Sequence, residues 1–442
     1  DAPHILSRGK GTGAMETLRY GSKGPMVEYL QLALERAGYD PGNIDGIFGK
    51  RTHAALEQFQ RANGLAADGI AGRLTWAKLF PYLAGYTIHI VRAGDTLHDI
   101  AKMHDTTVNA IETANPEIEA QNLVLGAELV VPLDFPVVPV NVNYSYALLA
   151  LLIDGLTARY PFLREGQIGT SVMGKPIYSI AIGQGEKQVS YNASHHANEW
   201  ITTPVLMQFL ERYASAYVNS GSIAGTPART LYQGATLYLV PMVNPDGVDL
   251  VTGALKPDDS YYRQAAAFSE YYPGIPFPSG WKANISGVDL NLGYPAEWER
   301  ARSIKFAEGF TRPGPRDYVG TAPLAEPENR AMARFTELHD FRLTLSYHTQ
   351  GRTIYWKFAD YEPENSRAIA EAFSKASGYL VEETPYRSGF AGYKDWFIQS
   401  YDLPGYTIEA GQGQNPLPLS QFADIYRENE GILTLGMVLA PN

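Results

Sequence analysis

"KQVSYNASHHANEW", residues 187–200, decides how this chain is read. A strand-like run goes straight into His195 and His196, and Glu199 follows just before the helix-like "TPVLMQFLERYASAY". A strand that breaks into a polar turn and then feeds a helix is half of an α/β unit. In open α/β sheets the binding crevice lies beyond the carboxyl ends of the strands. If the turn is helical, His196 and Glu199 stand at i and i+3 and share a face, as two ligands of one ion must. His195 and Glu199, at i and i+4, fit as well.

Moving outward, "KPIYSIAIG", "ATLYLVPMVN", "FRLTLSYH" and "GYTIEAG" read as further strands, and "AMARFTELHD" and "RAIAEAFSKASG" as helices. The alternation predicts an α/β domain over 144–442, with a mixed β-sheet flanked by helices. Two more of these strands end in chemistry. "FRLTLSYHTQG" stops at His348 before a glycine turn and supplies a third ligand; "LPGYTIEAGQG" stops at Glu409. Two histidines and a glutamate leave a fourth position open, the arrangement of catalytic rather than structural zinc. A carboxylate beside such an ion is suited to act as general base toward water.

The composition narrows the alternatives. The chain has 442 residues, a length that predicts two or three domains. It has no cysteine, which excludes thiolate metal sites, cysteine nucleophiles and disulfides and leaves His, Asp and Glu for metal work. A formal charge of −11 with no Lys/Arg cluster argues against a nucleic-acid partner. Apolar residues make up 45%, yet no run reaches the length of a membrane span. The opening "DAPHILSRGKGTGAMETLRYG" has no continuous hydrophobic core, so no signal peptide is recognisable. It reads as a processed N-terminus or as a leader added before Met15.

Ahead of the large domain the chain repeats itself. "DGIFGKRT" at 45–52 and "DGIAGRLT" at 68–75 are tight Asp-Gly turns running into helix starts, with "HAALEQFQRANGL" between them and "GPMVEYLQLALERAGY" before. Residues 18–80 thus form a three-helix unit that closely resembles the peptidoglycan-binding domain of wall hydrolases. Residues 86–133 place a strand, two short helices and a strand in order. Through "VRAGDTLHDIAK" and "NPEI…LVLGAELVVP" they resemble a lysin-motif (LysM) domain, a small α+β family that binds N-acetylglucosamine chains. The proline-rich "VPLDFPVVPVNVNY", 131–144, reads as a linker.

The large domain resembles the zinc metallocarboxypeptidases. "HHANEW", "VNPDG" (243–247), "GVDLN" (287–291), "SYHTQ" (346–350), "KDWF" (394–397) and "TIEAG" (407–411) occur in that family's order. The resemblance implies one Zn²⁺ ion held by His196, Glu199 and His348, with Glu409 as general base. It also implies that Asp289 orients the first histidine and that Asn291 contacts the substrate carboxylate.

The chain departs from the family where a substrate's C-terminus is held. Leu292 stands where the family has an arginine that clamps a free carboxylate. The oxyanion-stabilising arginine is replaced by Lys282, with Arg263 an upstream alternative. Lys394 takes the position lining the side-chain pocket and Arg387 lies in the preceding loop, so an acidic substrate group is expected. Tyr386 lies near the family's mobile tyrosine.

With the two wall-binding look-alikes, these departures resemble one branch, the γ-D-glutamyl-L-diamino acid endopeptidases of spore-forming bacteria. The implied function is peptidoglycan hydrolysis between γ-D-glutamate and meso-diaminopimelate, with glycan chains and stem peptides as partners. The alternatives are a broader zinc carboxypeptidase and a non-catalytic wall- or spore-binding protein. The expected location is the cell wall or spore, or the cytoplasm during sporulation.

Overall fold

The computed structural model describes residues 15–442; the expectations about residues 1–14 lie outside it. The chain divides into two compact units, the first ending at Arg164 and the second running from Glu165 to Asn442.

Each Asp-Gly repeat of the first unit folds into the same turn, and each is read by one buried glutamine. Gly46 and Gly69 take φ of 69° and 67°, a left-handed conformation that glycine adopts without a Cβ penalty. Asp45 Oδ1 accepts from Ile47 N at 2.9 Å, and Asp68 Oδ1 from Ile70 N at 2.9 Å. From helix α1 (Pro25–Arg36), Gln31 donates through Nε2 to Asp45 Oδ1 (2.9 Å) and accepts through Oε1 from Gly46 N (3.0 Å). From α2 (Lys50–Ala62), Gln60 repeats this on Asp68 Oδ1 (3.0 Å) and Gly69 N (3.0 Å). Helix α3 (Arg73–Ala84) follows the second turn.

The next module pairs β1 (Tyr86–Ile90) antiparallel with β2 (Glu128–Pro132). Between them lie α4 (Leu97–Met103) and α5 (Val108–Ala114), whose first turns are capped by Thr96 and Thr107. Val91, Leu97, Ile100, Ile111, Leu129 and Val131 form its core. The stretch expected to be a linker is irregular but packed. Asn143 donates from its backbone and side chain to Glu28 at 2.6 and 2.7 Å, and Val137, Val142 and Tyr144 are buried. Helix α6 (Tyr146–Arg159) lies so close to the end of α3 that a Cβ on Gly155 would meet the Ala84 carbonyl at 2.0 Å.

The second unit is built on an eight-stranded mixed sheet. Its strands are β3 (Arg164–Thr170), β4 (Pro176–Ile182), β5 (Lys187–Ala193), β6 (Ala235–Val240), β7 (Phe341–His348), β8 (Thr353–Tyr355), β9 (Leu380–Glu382) and β10 (Gly405–Glu409). The spatial order is β9-β8-β10-β7-β5-β6-β4-β3. The inner strands are buried on both faces. Helix α9 (Tyr393–Tyr401) covers one side, where Gly405 leaves room for Phe397 and Ile398. The C-terminal helix α10 (Phe422–Leu439) covers the other, and its Leu433 carbonyl accepts from the Tyr191 hydroxyl at 2.7 Å. β5, β7 and β10 are neighbours and mutually parallel, so their carboxyl ends form one edge.

Candidate metal and catalytic site

That edge carries the chemistry. At the end of β5, Ser194 adopts a left-handed φ of 53°, its hydroxyl bonded to Thr203 Oγ1 at 2.8 Å, and the chain leaves the sheet. A single 3₁₀ turn, Ala197–Glu199, follows before the long helix α7 (Thr202–Val218). Three residues per turn eclipse i and i+3, so the turn brings Glu199 back over His196 and not over His195. His196 Nδ1 lies 3.0 Å from Glu199 Oε1. His195 turns inward to Tyr294, with its Nε2 3.0 Å from the Tyr294 hydroxyl, and burial pushes its pKa well below the usual value, so it is neutral.

His348, at the end of β7, completes the group. Its Nδ1 is 2.9 Å from Glu199 Oε2 and 3.1 Å from His196 Nδ1. One atom from each of the three buried residues lies within 4.8 Å of the others, a set able to hold a metal ion. The donor set tests the fit. Asp289 Oδ1 accepts from His196 Nε2 at 2.9 Å, which keeps a proton on Nε2 and turns Nδ1 toward Glu199 and His348. His196 Nδ1, His348 Nδ1 and the two Glu199 oxygens converge on one spot, where a single cation would meet all three side chains at once. The carboxylates around the site draw positive charge into it. Burial opposes charge on His196, but Glu199 and Asp289 outweigh burial and Lys282 and lift the imidazole to about 9. Burial likewise works against Asp289, yet His196 holds its carboxyl far below the ordinary range. Two imidazoles and a carboxylate fit zinc with a fourth position open.

Glu409 ends β10 in direct register with His348, one strand over. Burial first and Glu199 second push its carboxyl up to about 8, with Lys282 and His196 pulling the other way. A carboxylate with a pKa near neutral can both take and return a proton. Lys282 Nζ lies 3.5 Å from Glu199 Oε1, and the Lys282 carbonyl accepts from Ala197 N at 3.0 Å.

The "VNPDG" motif is the clasp between these segments. Asn244 caps helix α8 (Pro245–Thr252) through Gly247 N, while its Nδ2 donates to the carbonyls of His195 (3.1 Å) and Ala283 (3.0 Å). Gly247 permits the approach: a Cβ there would meet the Ala283 carbonyl at 2.7 Å.

The other residues expected at the site are placed unevenly. Asn291 accepts from Tyr393 N at 3.1 Å through Oδ1, beside Asp289. Leu292 is buried with Leu290, Tyr294 and Trp396. Lys394 is buried, its ammonium 2.6 Å from both Asp395 Oδ1 and the Lys357 carbonyl. Arg387 is 83% exposed and reaches Glu308 at 3.5 Å. Tyr386 is exposed, edge-on to Phe390. Arg263 donates to the Asp258 carbonyl at the start of its own helix, and no bond joins it to the triad among the described residues.

Sequence reasoning missed Asn415, Asp317 and Arg316. Asn415 exchanges bonds with Thr349 (2.7 and 2.9 Å) and reaches Glu199 at 3.5 Å. Asp317 N donates to Asp289 Oδ2 at 3.2 Å, and the Arg316 guanidinium pairs with the Asp317 side chain at 2.5 Å. No local pattern marks them. Tyr294 was visible only as a neighbour of the "GVDLN" motif.

Comparison with known proteins agrees with this geometry. The sequence profile of the zinc carboxypeptidase family matches residues 149–431, a peptidoglycan binding domain profile matches 23–79, and a LysM domain profile matches 89–132. The gamma-D-glutamyl-L-diamino acid endopeptidase 1 of Lysinibacillus sphaericus is 47% identical over 297 residues, covering 67% of this chain and 73% of that protein. An uncharacterized protein of Bacillus subtilis is 42% identical over 278 residues, covering 62% and 72%. Among solved structures, carboxypeptidase A of Helicoverpa armigera superposes with a TM-score of 0.53 at 16% identity, over 78% of this chain and 81% of that one, which shows a shared fold. A buried His-Glu-His set at the edge of a mixed sheet, under a profile that spans most of the chain, has one explanation: the chain belongs to the zinc carboxypeptidase family and is a zinc metallopeptidase with peptidoglycan-binding and LysM domains ahead of its catalytic domain.

Proposed function

We propose that this protein hydrolyses the bond between γ-D-glutamate and a diamino acid, meso-diaminopimelate in the first instance, in peptidoglycan stem peptides. We allocate wall binding to residues 18–80 and 86–133, and catalysis to 144–442. In this reading the two modules engage the glycan and keep the enzyme at the cell wall, raising the local concentration of scissile bonds without altering the chemistry. Among the described residues no helix is long and apolar enough to cross a membrane.

The observation that carries the proposal is an intact His196–Glu199–His348 set beside a core-buried Leu292. With no cation at that position to clamp a C-terminal carboxylate, the site favours cleavage inside a branched acidic peptide over trimming its end. The name of the 47%-identical relative supports the same bond.

His196, Glu199 and His348 would hold the zinc ion, which when bound would supply Lewis acidity toward the scissile carbonyl and water. In this reading Glu409 takes the water proton on its carboxylate and returns it to the leaving amine. Lys282 sets its ammonium against the negative charge developing on the carbonyl oxygen. Asp289 keeps His196 in one tautomer, and Asn291 contributes its side-chain amide to the substrate.

The test is incubation of zinc-loaded protein with L-Ala-γ-D-Glu-meso-diaminopimelate-D-Ala and identification of the products by mass spectrometry. Release of L-Ala-D-Glu is expected. Loss of the terminal D-alanine alone would make this a carboxypeptidase instead.

A further inference from the structure

A γ-linked glutamyl residue differs from an ordinary peptide on the acyl side of the scissile bond: its free α-carboxylate sits a short aliphatic chain from the reacting carbonyl. The site is already rich in carboxylates, Glu199, Asp289, Asp317 and Glu409, so a further carboxylate brought to it needs a cation to meet it. Most nearby cations are already committed. Lys282 faces Glu199. Lys305 is buried between Asp317 (2.8 Å) and Glu308 (3.3 Å), and Lys394 is spent on Asp395 and the Lys357 carbonyl.

Arg316 is placed differently. Its neighbours on both sides are bonded to the site: the Pro315 carbonyl accepts from Lys282 N (2.7 Å) and Ala283 N (3.0 Å), and Asp317 N donates to Asp289. Asp317, itself anchored by Lys305, holds the guanidinium through Nε alone. The two terminal nitrogens have no partner among the described residues, the side chain is 43% exposed, and the charge is within electrostatic reach of Glu199 and Asp289. A guanidinium oriented from behind with its outer edge open is arranged to take a carboxylate.

We propose that Arg316 is a specificity-determining residue that reads the free α-carboxylate of the γ-linked acyl residue. The proposal rests on the γ-glutamyl reading above. It assigns recognition of the isopeptide linkage to the loop 313–318, outside every motif that marks the family in this sequence.

The experiment compares two stem peptides that differ at one group, the α-carboxylate of the glutamyl residue or its carboxamide, using zinc-loaded full-length protein and Arg316→Gln and Arg316→Lys. Wild type should prefer the carboxylate peptide by about 10- to 100-fold in kcat/KM, the range of one charge-assisted hydrogen-bonded pair. That ratio should collapse toward equality in R316Q and be intermediate in R316K, which keeps the charge and loses the fork. Zinc content and thermal midpoint establish that R316Q is folded; if it is not, R316K carries the comparison. An undiminished ratio in the folded variants, or a wild type indifferent to the substitution, overturns the assignment while leaving the γ-glutamyl activity standing. A wild type that cleaves neither peptide overturns both.

Discussion

Gln60 and Glu199 are both buried polar side chains, yet they do opposite things. Gln60 meets a donor with its oxygen and acceptors with its nitrogen, and every one of those bonds closes the turn around Gly69. Glu199 faces the Nδ1 atoms of His196 and His348, which also face each other at 3.1 Å, so that atoms able to act as acceptors crowd one place. The lesson is about complementarity. Buried polar groups whose donors and acceptors match are architecture, whereas buried groups whose lone pairs converge are a site that something else completes.

The comparison can be broken most forcefully at Glu409. Replacing it with Gln should lower kcat by about 10²–10⁴-fold, the usual worth of a general base, while zinc content stays stoichiometric. Steady-state kinetics with metal analysis checks this, and retained turnover would remove Glu409 from the mechanism.

Asp289→Asn sharpens the same side. Without the carboxylate behind His196, zinc affinity should fall about 10- to 100-fold. Competition with a chelator measures it; unchanged affinity would mean the contact is only structural.

On the architectural side, Gln60→Ala leaves Gly69 N and the Asp68 side chain without their buried partner and should cost about 2–3 kcal/mol. Faster hydrogen exchange in α2 and α3 would report the loss. Hydrolysis of a soluble stem peptide should not change. A loss of activity there would show that the distinction between the two regions is false.

The smallest effect is expected at Glu328, a buried carboxyl outside the triad that accepts from Val172 N at 3.1 Å. Burial, opposed by its hydrogen bonds, raises it from 4.5 to about 7. A folded-state pKa above the unfolded one means the native state binds the extra proton. That stabilisation is complete below 4.5 and is lost as pH rises through 7. Glu328→Gln should therefore melt a few degrees above wild type at about pH 8 and close to it at about pH 5. Parallel melting curves at the two pH values would refute it.

Much of this was legible in the chain. The Asp-Gly turns show because a left-handed glycine and an Asx turn are local requirements, written within a few residues. The strands β5, β7 and β10 show because apolar runs stop at a histidine or a glutamate. Asn415 does not show because it meets Thr349 and Glu199 across long stretches of chain, and Arg316 does not because its partner is the adjacent Asp317 and only the backbone of its loop, through Pro315 and Asp317, is tied to the site. The stretch 131–144 reads as a linker from its prolines, but its buried valines and Asn143 are held by partners that composition does not reveal.

The sequence by itself determined which residue types were available for metal chemistry, their order, and the modules that precede them. Spacing alone left open which of two adjacent histidines serves an ion, and only the family resemblance pointed to His196; which cation reads the substrate stayed open. Tertiary structure brings His196, and not His195, beside Glu199 and His348, through a left-handed Ser194 and a 3₁₀ turn that eclipses His196 with Glu199. It placed the triad and Glu409 on one edge through the pairing order β10-β7-β5. Local patterns report which backbone conformation a segment prefers. Which strand lies beside which depends on the burial of both sheet faces at once, a property of the whole chain.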